Sequence, residues 1–576
     1  ILFNVLKVLN NFHNFINYAS SHLLLYYNLT TFKLFFSRIK TILLQGNSRM
    51  SNVDQNVKII ADEITTPENN NCNINTTTII SIIDKYGTNE DGQNKLIENN
   101  MNAENKTIDM ENEKYSVSSL LWRDLYPQVL ASCISLLMVI QPGIHLAYSN
   151  NMLHHMPSIN KEQFSWITSI SVLCTPVGAF FVGLVMDKIG RKNACFLTCL
   201  PLLASWTIVT ISSTDNIYTC YVFRLLGGIG AGMTTVGLVY VSEISHSSYK
   251  QILLSLNSVF FSGGILLSTC LVDLKWNVIN FSFVIFTIVN MALIIIYLPE
   301  SPIWILKFKS SEHINKAKIA MKQIYPNDNQ VFEAEWRRLK SASDNTSAPD
   351  VHQPSFFESI RSNPAAYKPM AILTVLLLLQ QLTGAYSTIS YALPILKSVV
   401  PAAYPPAIGI QSLAALGIVR FASGVLACVL SLRVGRKPLL MFSCVAMAMS
   451  SVLVAATHHS RDTTAVPWSL CGVMLYVFSS SVGVLVFPWT MICELLSTPV
   501  RAVGGCMLVS YAYLIMFATL KVFPYVLAAV SVPHVFLVFG AVSTSMAVYV
   551  HFIVPETLGK SFREIEDYFT RPSKPL

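Results

Sequence analysis

Long apolar runs separated by short polar loops dominate this chain from Tyr126 onward. Uncharged windows near the ~20 residues that cross a bilayer recur: Tyr126 to Ser149, Trp166 to Met186, Asn193 to Thr214, Ile252 to Val272, Asn277 to Leu298, Pro369 to Leu396, Pro438 to His458, Thr464 to Cys493, Ala502 to Leu520 and Val522 to Pro555. Two more windows, Tyr218 to Val241 and Ala402 to Leu432, are interrupted only by Arg224 and Arg420. By length these are about twelve spans, and Gly and Pro within them predict helices that bend. A β-barrel would alternate polar and apolar residues instead. The expected fold class is therefore an all-α membrane protein of twelve transmembrane helices in two six-helix halves.

The polar segments set the expected organisation. Residues 1–49 contain no Met, Asp, Glu or Pro, and the first Met is Met50; this leader is expected to be read-through or otherwise unassigned sequence. Residues 50–119 are Asn-rich and poor in aromatics, which predicts a disordered N-terminal tail. The first six-helix half is expected at 120–298 and the second at 368–555. Between them, 299–367 is hydrophilic, and HINKAKIAMKQIY and VFEAEWRRLK within it have helical spacing, predicting short amphipathic helices. Residues 556–576 form the expected C-terminal tail.

Composition agrees with a membrane protein: of 576 residues 52% are hydrophobic and 12% charged, against about a quarter charged in soluble domains. The formal charge of +8 does not imply nucleic acid, because the basic residues gather in short loops beside spans, as in DKIGRK and LRVGRK. Such loops are orientation signals. With an even number of spans they place both termini in the cytoplasm; the chain is also expected to be a multi-pass protein of the plasma membrane and to function as a monomer. The Cys residues fall mostly within spans, and Cys195 and Cys199, one turn apart, are packing residues by this pattern. No metal spacing, cofactor loop or nucleophile–base constellation is present, so neither an enzyme nor a cofactor is expected.

The halves echo each other. Gly190, Arg191 and Lys192 recur as Gly435, Arg436 and Lys437; Glu243 with Lys250 recurs as Glu494 with Arg501; Pro299, Glu300 and Ser301 recur as Pro555, Glu556 and Thr557. Parallel duplication is the pattern of carriers that bind solute between halves and rock to give alternating access. GGIGAG, Gly227 to Gly232, has no preceding strand and reads as a close helix contact rather than a dinucleotide loop.

GLVMDKIGRK, RLLGGIGAG, YVSEI, PESPIW, QQLTG, VGRK, PWTMICELLSTPVR and PETLGKSF together resemble the motifs of sugar porters of the major facilitator superfamily, and among these insect facilitated trehalose transporters and their relatives. The resemblance runs from about Tyr126 to Phe569. It implies facilitative transport of trehalose or a hexose, with the sugar and the lipid bilayer as partners. It also implies a gate of Asp187, Arg191, Arg224, Glu243, Glu300, Arg436, Glu494, Arg501 and Glu556, paired across helix ends when that side is closed.

Sugar hydroxyls call for amides, hydroxyls and an aromatic plate. QQLTGAYSTISYA supplies Gln380, Gln381, Thr383, Ser387 and Ser390, and Trp489 supplies an indole; Gly384 permits the helix to break there. By resemblance Gln380, Gln381 and Trp489 match sugar-binding positions, while Tyr386 stands where many members have Asn, and Ala512 and Met516 replace polar positions. The family's usual acid before the second Gly-Arg pair is Leu432 here, and Lys250 replaces an expected Arg. The first span has no carboxylate to titrate; His145 is a candidate proton site but is read first as a helix-packing residue, so no ion coupling is expected. Arg420 and Lys521 lie in apolar stretches without an evident partner. Two alternatives stand beside the leading reading: a proton-coupled or polyol carrier, and a nontransporting sugar sensor signalling through its tail.

Overall fold

Lipid offers no partner for backbone amides, so apolar runs of this length satisfy them internally as helices. The computed structural model contains twelve helices long and apolar enough to cross a membrane: Tyr126–His155, Lys161–Ile189, Arg191–Ile211, Ile217–Ile244, Tyr249–Cys270 and Trp276–Tyr297, then Pro364–Ser390, Ile408–Leu430, Arg436–Thr457, Trp468–Leu495, Val503–Ala529 and Val532–Phe552. These are numbered below as the first to twelfth spans. The structure describes residues 122–212, 216–308, 314–325, 332–333, 335–340, 364–400, 407–431, 433–459, 466–558, 560 and 562–570. The leader and the whole N-terminal tail, 50–119, lie outside the described residues.

The halves repeat one design. The first span is interrupted by a 3₁₀ turn at Leu137–Val139, and the fourth at Thr234, between helices Ile217–Met233 and Thr235–Ile244. Their counterparts break too: the seventh between Leu382 and Ala385, the tenth between Val482 and Phe487. Broken spans leave backbone groups that only protein or a cavity can satisfy, so they belong inside the bundle. Accordingly the first, seventh and tenth spans bury 67%, 67% and 72% of their most apolar stretch, against 33% for the sixth.

Peripheral spans show the opposite face. Phe281, Ile285 and Ile288 on the sixth, and Phe442, Val445, Met449 and Val452 on the ninth, are exposed at one-turn spacing, an apolar stripe suited to lipid. Across the halves, the fifth span packs on the eighth and the second on the eleventh.

GGIGAG brings the second and fourth spans together. A Cβ at Gly228 would lie 2.2 Å from the Ser171 carbonyl oxygen, and one at Gly232 1.9 Å from that of Thr175. Only hydrogen fits at either position. Cys195 and Cys199 are buried and free, as packing residues.

After the sixth span, Pro302–Phe308 and the amphipathic helix Ile314–Ile324 follow, the latter turning Ala317, Ala320, Met321 and Ile324 inward. Phe332 and Trp336 join the same core with Trp304 and Ile305. The amphipathic spacing of both polar segments thus serves a packed cap on the end carrying the basic loops.

Candidate functional site

The seventh span breaks because of one residue. Gly384 adopts φ +75°, a left-handed conformation that costs other residues about 1 kcal/mol or more. Its Cα faces the Phe539 ring, where a Cβ would meet carbon at 2.1 Å. Below the break, helix Ala385–Ser390 is entirely buried.

The two adjacent glutamines differ. Gln380 donates from Nε2 to the Val484 carbonyl at 2.7 Å, tying the seventh span to the unwound turn of the tenth. Gln381 donates weakly to the Gln380 side-chain oxygen at 3.4 Å, and its own Oε1 is buried without a donor. A buried unsatisfied acceptor costs about 1–3 kcal/mol. Gln381 therefore keeps a free acceptor, whereas Gln380 serves as a strut.

The hydroxyls divide the same way. Thr383 donates to the Gln380 carbonyl at 2.6 Å, and its own carbonyl accepts from Tyr476. The hydroxyl of Ser390 is buried without a partner, and Ser387 is buried. Trp489 donates its indole N–H to the Tyr386 hydroxyl at 2.9 Å and tilts against the Tyr513 ring at 5.5 Å. Of the seven expected solute contacts, Gln381, Tyr386, Ser387, Ser390 and Trp489 thus keep an open group or face in the bundle interior, while Gln380 and Thr383 are engaged by the protein.

Beyond the site the halves are laced together at the end opposite the basic loops. Asn150 of the first span donates to the Ile389 carbonyl at 3.0 Å and accepts from the Leu393 amide at 2.9 Å. Ser149 donates to the Ser390 carbonyl at 2.9 Å, and Phe164 meets Tyr391 edge-on at 5.4 Å. Between the second and eleventh spans, Ser165 donates to the Lys521 carbonyl at 2.5 Å, and the Lys521 ammonium sits 3.8 Å from the Trp166 ring centroid. Sequence reasoning missed this lacing; its signal was the polar run SNN at the edge of the first apolar window, which the first span continues through to His155.

At the other end, several of the charges singled out in the sequence lie together. Arg191 bonds Asp187 at 2.8 Å and Glu243 at 2.9 Å, and Arg436 bonds Glu494 at 2.9 Å. Among the described residues, every ion pair of this group lies within one half and joins the ends of neighbouring helices or turns. The reason is geometric: each arginine opens the third or ninth span directly beneath the end of its own half's fourth or tenth. Glu300 and Glu556 act as caps instead, accepting from the amides of Arg191 and Lys192, and of Arg436 and Lys437. Across the halves, the Gln251 amide contacts the Arg436 guanidinium. The Arg501 side chain and Leu432 lie outside the described residues.

Arg224 sits apart from these pairs. It sits 1% exposed inside the first half, donates to the His145 carbonyl and lies 5.9 Å from the Tyr148 ring centroid, with no ion pair among the described residues. Its position eight residues into the fourth span separates it from the carboxylates at span ends. His145 stacks on Trp206 at 4.8 Å, a packing role as expected. Around them Gln141 joins the Trp206 indole at 2.7 Å to the Thr287 hydroxyl at 2.8 Å.

A profile of the "sugar (and other) transporter" family matches residues 92–569. The facilitated trehalose transporter Tret1 of Bombyx mori is 28% identical over 430 residues, covering 72% of this chain and 81% of the relative. The plastidic glucose transporter 4 of Arabidopsis thaliana is 27% identical over 481 residues, covering 80% and 83%. Among solved structures, the inward-open xylose transporter XylE from E. coli superposes with a TM-score of 0.62 at 16% identity, covering 77% of this chain and 99% of that one. That likeness is one of fold.

Proposed function

The chain belongs to the sugar (and other) transporter family and is a multi-pass membrane transporter rather than an enzyme; from that premise we propose that it carries a sugar, trehalose or a hexose, down its gradient by alternating access. The observation that supports this most is the seventh span broken at Gly384, with the unpartnered Gln381 oxygen above the break and the Tyr386–Trp489 pair below it. An amide acceptor, hydroxyls and an indole face suit a solute that is hydroxylated all round and apolar on its flat faces. The similar relatives carry trehalose and glucose in their names.

Absence of a carboxylate in the first span favours movement without protons. The span's titratable side group near mid-depth, His145, is walled in by Trp206 and Phe223. Alternating access follows from the two sets of cross-half contacts. Opening toward the basic-loop end breaks the Gln251–Arg436 contact and lets the cap helices part, whereas opening toward the other end breaks the Asn150 and Ser149 bonds to the seventh span. The ion pairs of Arg191 and Arg436 keep each half rigid while it rocks. By the positive-inside rule the basic loops and both termini face the cytoplasm, with the plasma membrane as the site of action.

The test is uptake of labelled trehalose, glucose and a polyol in oocytes at external pH 5.5 and 7.5. Saturable sugar flux of equal size at both pH values supports the proposal; accumulation driven by acid outside, or flux of the polyol alone, refutes it.

A further inference from the structure

Arg420 lies deep in the eighth span, 2% exposed, and its guanidinium makes no hydrogen bond among the described residues; Nε and Nη1 are fully buried. It shares a helix stripe with Gly417 and Gly424, which approach Thr269 and Ser262 of the fifth span. Those hydroxyls donate to the Leu266 and Ser258 carbonyls, and neither accepts a hydrogen bond from the guanidinium. The eighth span packs against the tenth, which carries Trp489, and against Ala392–Val399, the helix that continues the broken seventh span past Tyr386, and the charge of Arg420 acts on the Tyr386 hydroxyl. That hydroxyl accepts from Trp489, and its own proton has no acceptor among the described residues.

Three cations lie well inside the spans: Arg224, Arg420 and Lys521. Arg224 has the His145 carbonyl and Lys521 the face of Trp166. Arg420 alone has neither an acceptor nor an aromatic face among the described residues. No protein carboxylate can supply one from within, because Glu162, Asp187, Glu243 and Glu494 all sit within a turn of a span end and the interior stretches contain no other acid. A desolvated, unpaired guanidinium costs several kcal/mol. A buried donor cluster without an acceptor is complementary to an anion, and a guanidinium fork matches a carboxylate in shape and charge.

We infer that Arg420 and Tyr386 form a carboxylate-binding subsite beside the sugar site, so that the carrier prefers a hexuronate or aldonate over the neutral sugar of the same size. The inference rests on the sugar-transport reading and narrows its substrate class. A sugar hydroxyl accepts one hydrogen bond from this cluster, but only an anionic group also offsets the buried charge.

The experiment uses the full chain reconstituted in liposomes, with entry of labelled glucose competed by unlabelled glucose or glucuronate. Glucuronate half-inhibits at a concentration at least tenfold below that of glucose in the wild type; Arg420→Gln brings the two to parity, and Arg420→Lys retains part of the difference. In parallel, glucuronate raises the melting temperature of the detergent-purified wild type more than glucose does, a readout that needs no variant to fold. Equal or weaker competition and stabilisation by glucuronate, with glucose entry intact, overturns the subsite and leaves sugar transport standing. Absence of entry or stabilisation by either solute, in monodisperse protein, overturns both.

Discussion

Trp489 hands its indole proton to Tyr386 at 2.9 Å, so the tenth span and the lower segment of the broken seventh meet through one hydrogen bond at the centre of the second half. Trp489 is thereby held as a plate, and the Tyr386 hydroxyl keeps its own proton for a partner. Tyr386→Phe removes the acceptor and leaves the indole N–H unpaired, a loss of about 1–2 kcal/mol, or roughly a 5- to 30-fold rise in the apparent KM for sugar. The Tyr386→Phe/Trp489→Phe double variant is no worse than the weaker single one; full additivity of the two losses in uptake kinetics contradicts the pairing.

The two glutamines separate into different phenotypes. Gln381→Ala raises KM while surface abundance stays normal, because the residue's oxygen has no protein partner to lose. Gln380→Ala lowers abundance or thermal stability, because it removes the strut to Val484 and strands a buried carbonyl. Quantitative surface labelling beside uptake distinguishes them, and a reversed pattern refutes the assignment.

Asn150 closes the end opposite the basic loops with two bonds to the seventh span. Asn150→Ala abolishes both and leaves the Leu393 amide without its partner, shifting the two-state balance by about 1–3 kcal/mol toward opening at that end. A cysteine placed at Ser390 is then modified by a membrane-impermeant reagent several-fold faster than in the Asn150 background; an unchanged rate removes Asn150 from the closure.

Arg436 is 4% exposed and takes its counter-charge from Glu494. Glu494→Gln leaves the guanidinium with its backbone acceptor at Ser431 and the Gln251 contact but no described anion. Breaking such a buried pair from one side costs about 3–5 kcal/mol, here read as a lowered melting temperature and reduced uptake rate with KM nearly unchanged. A selective KM change with normal stability places Glu494 in solute binding instead.

Close backbone approach limits Gly232 to hydrogen. Gly232→Val forces the second and fourth spans apart at the Thr175 carbonyl and destabilises by about 1–3 kcal/mol or more. Size-exclusion profiles of detergent-solubilised protein show aggregation for this variant, while Gly183→Val, with open space around it, behaves as wild type.

Much of this architecture is legible in the residues because lipid enforces it. Apolar windows locate the spans, and Gly384 within QQLTG locates the break, since a left-handed residue has few alternatives to glycine. The repeat of Gly-Arg-Lys with its distant acids foretells two equivalent charge clusters. What the sequence conceals is partnership. The residues around Arg191 and Arg436 do not say which acid each meets; each is placed over its own half's glutamate by the helix it starts. Arg224 belongs to a charged motif by position in the text and to an aromatic pocket in space, seven residues from the nearest span end. Gln380 and Gln381 are chemically identical neighbours, and only the 100° turn between them along the helix decides which reaches Val484 and which stays open.

Counterflow tests the central claim most directly. Liposomes containing the purified protein and loaded with unlabelled hexose are diluted into trace labelled hexose at equal pH on both sides. Alternating access without ion coupling predicts a transient accumulation of label above the equilibrium level, abolished in Gln381→Ala at the same sugar concentration. Monotonic entry without overshoot in active wild-type vesicles, or an overshoot that appears only with a pH gradient, contradicts the account.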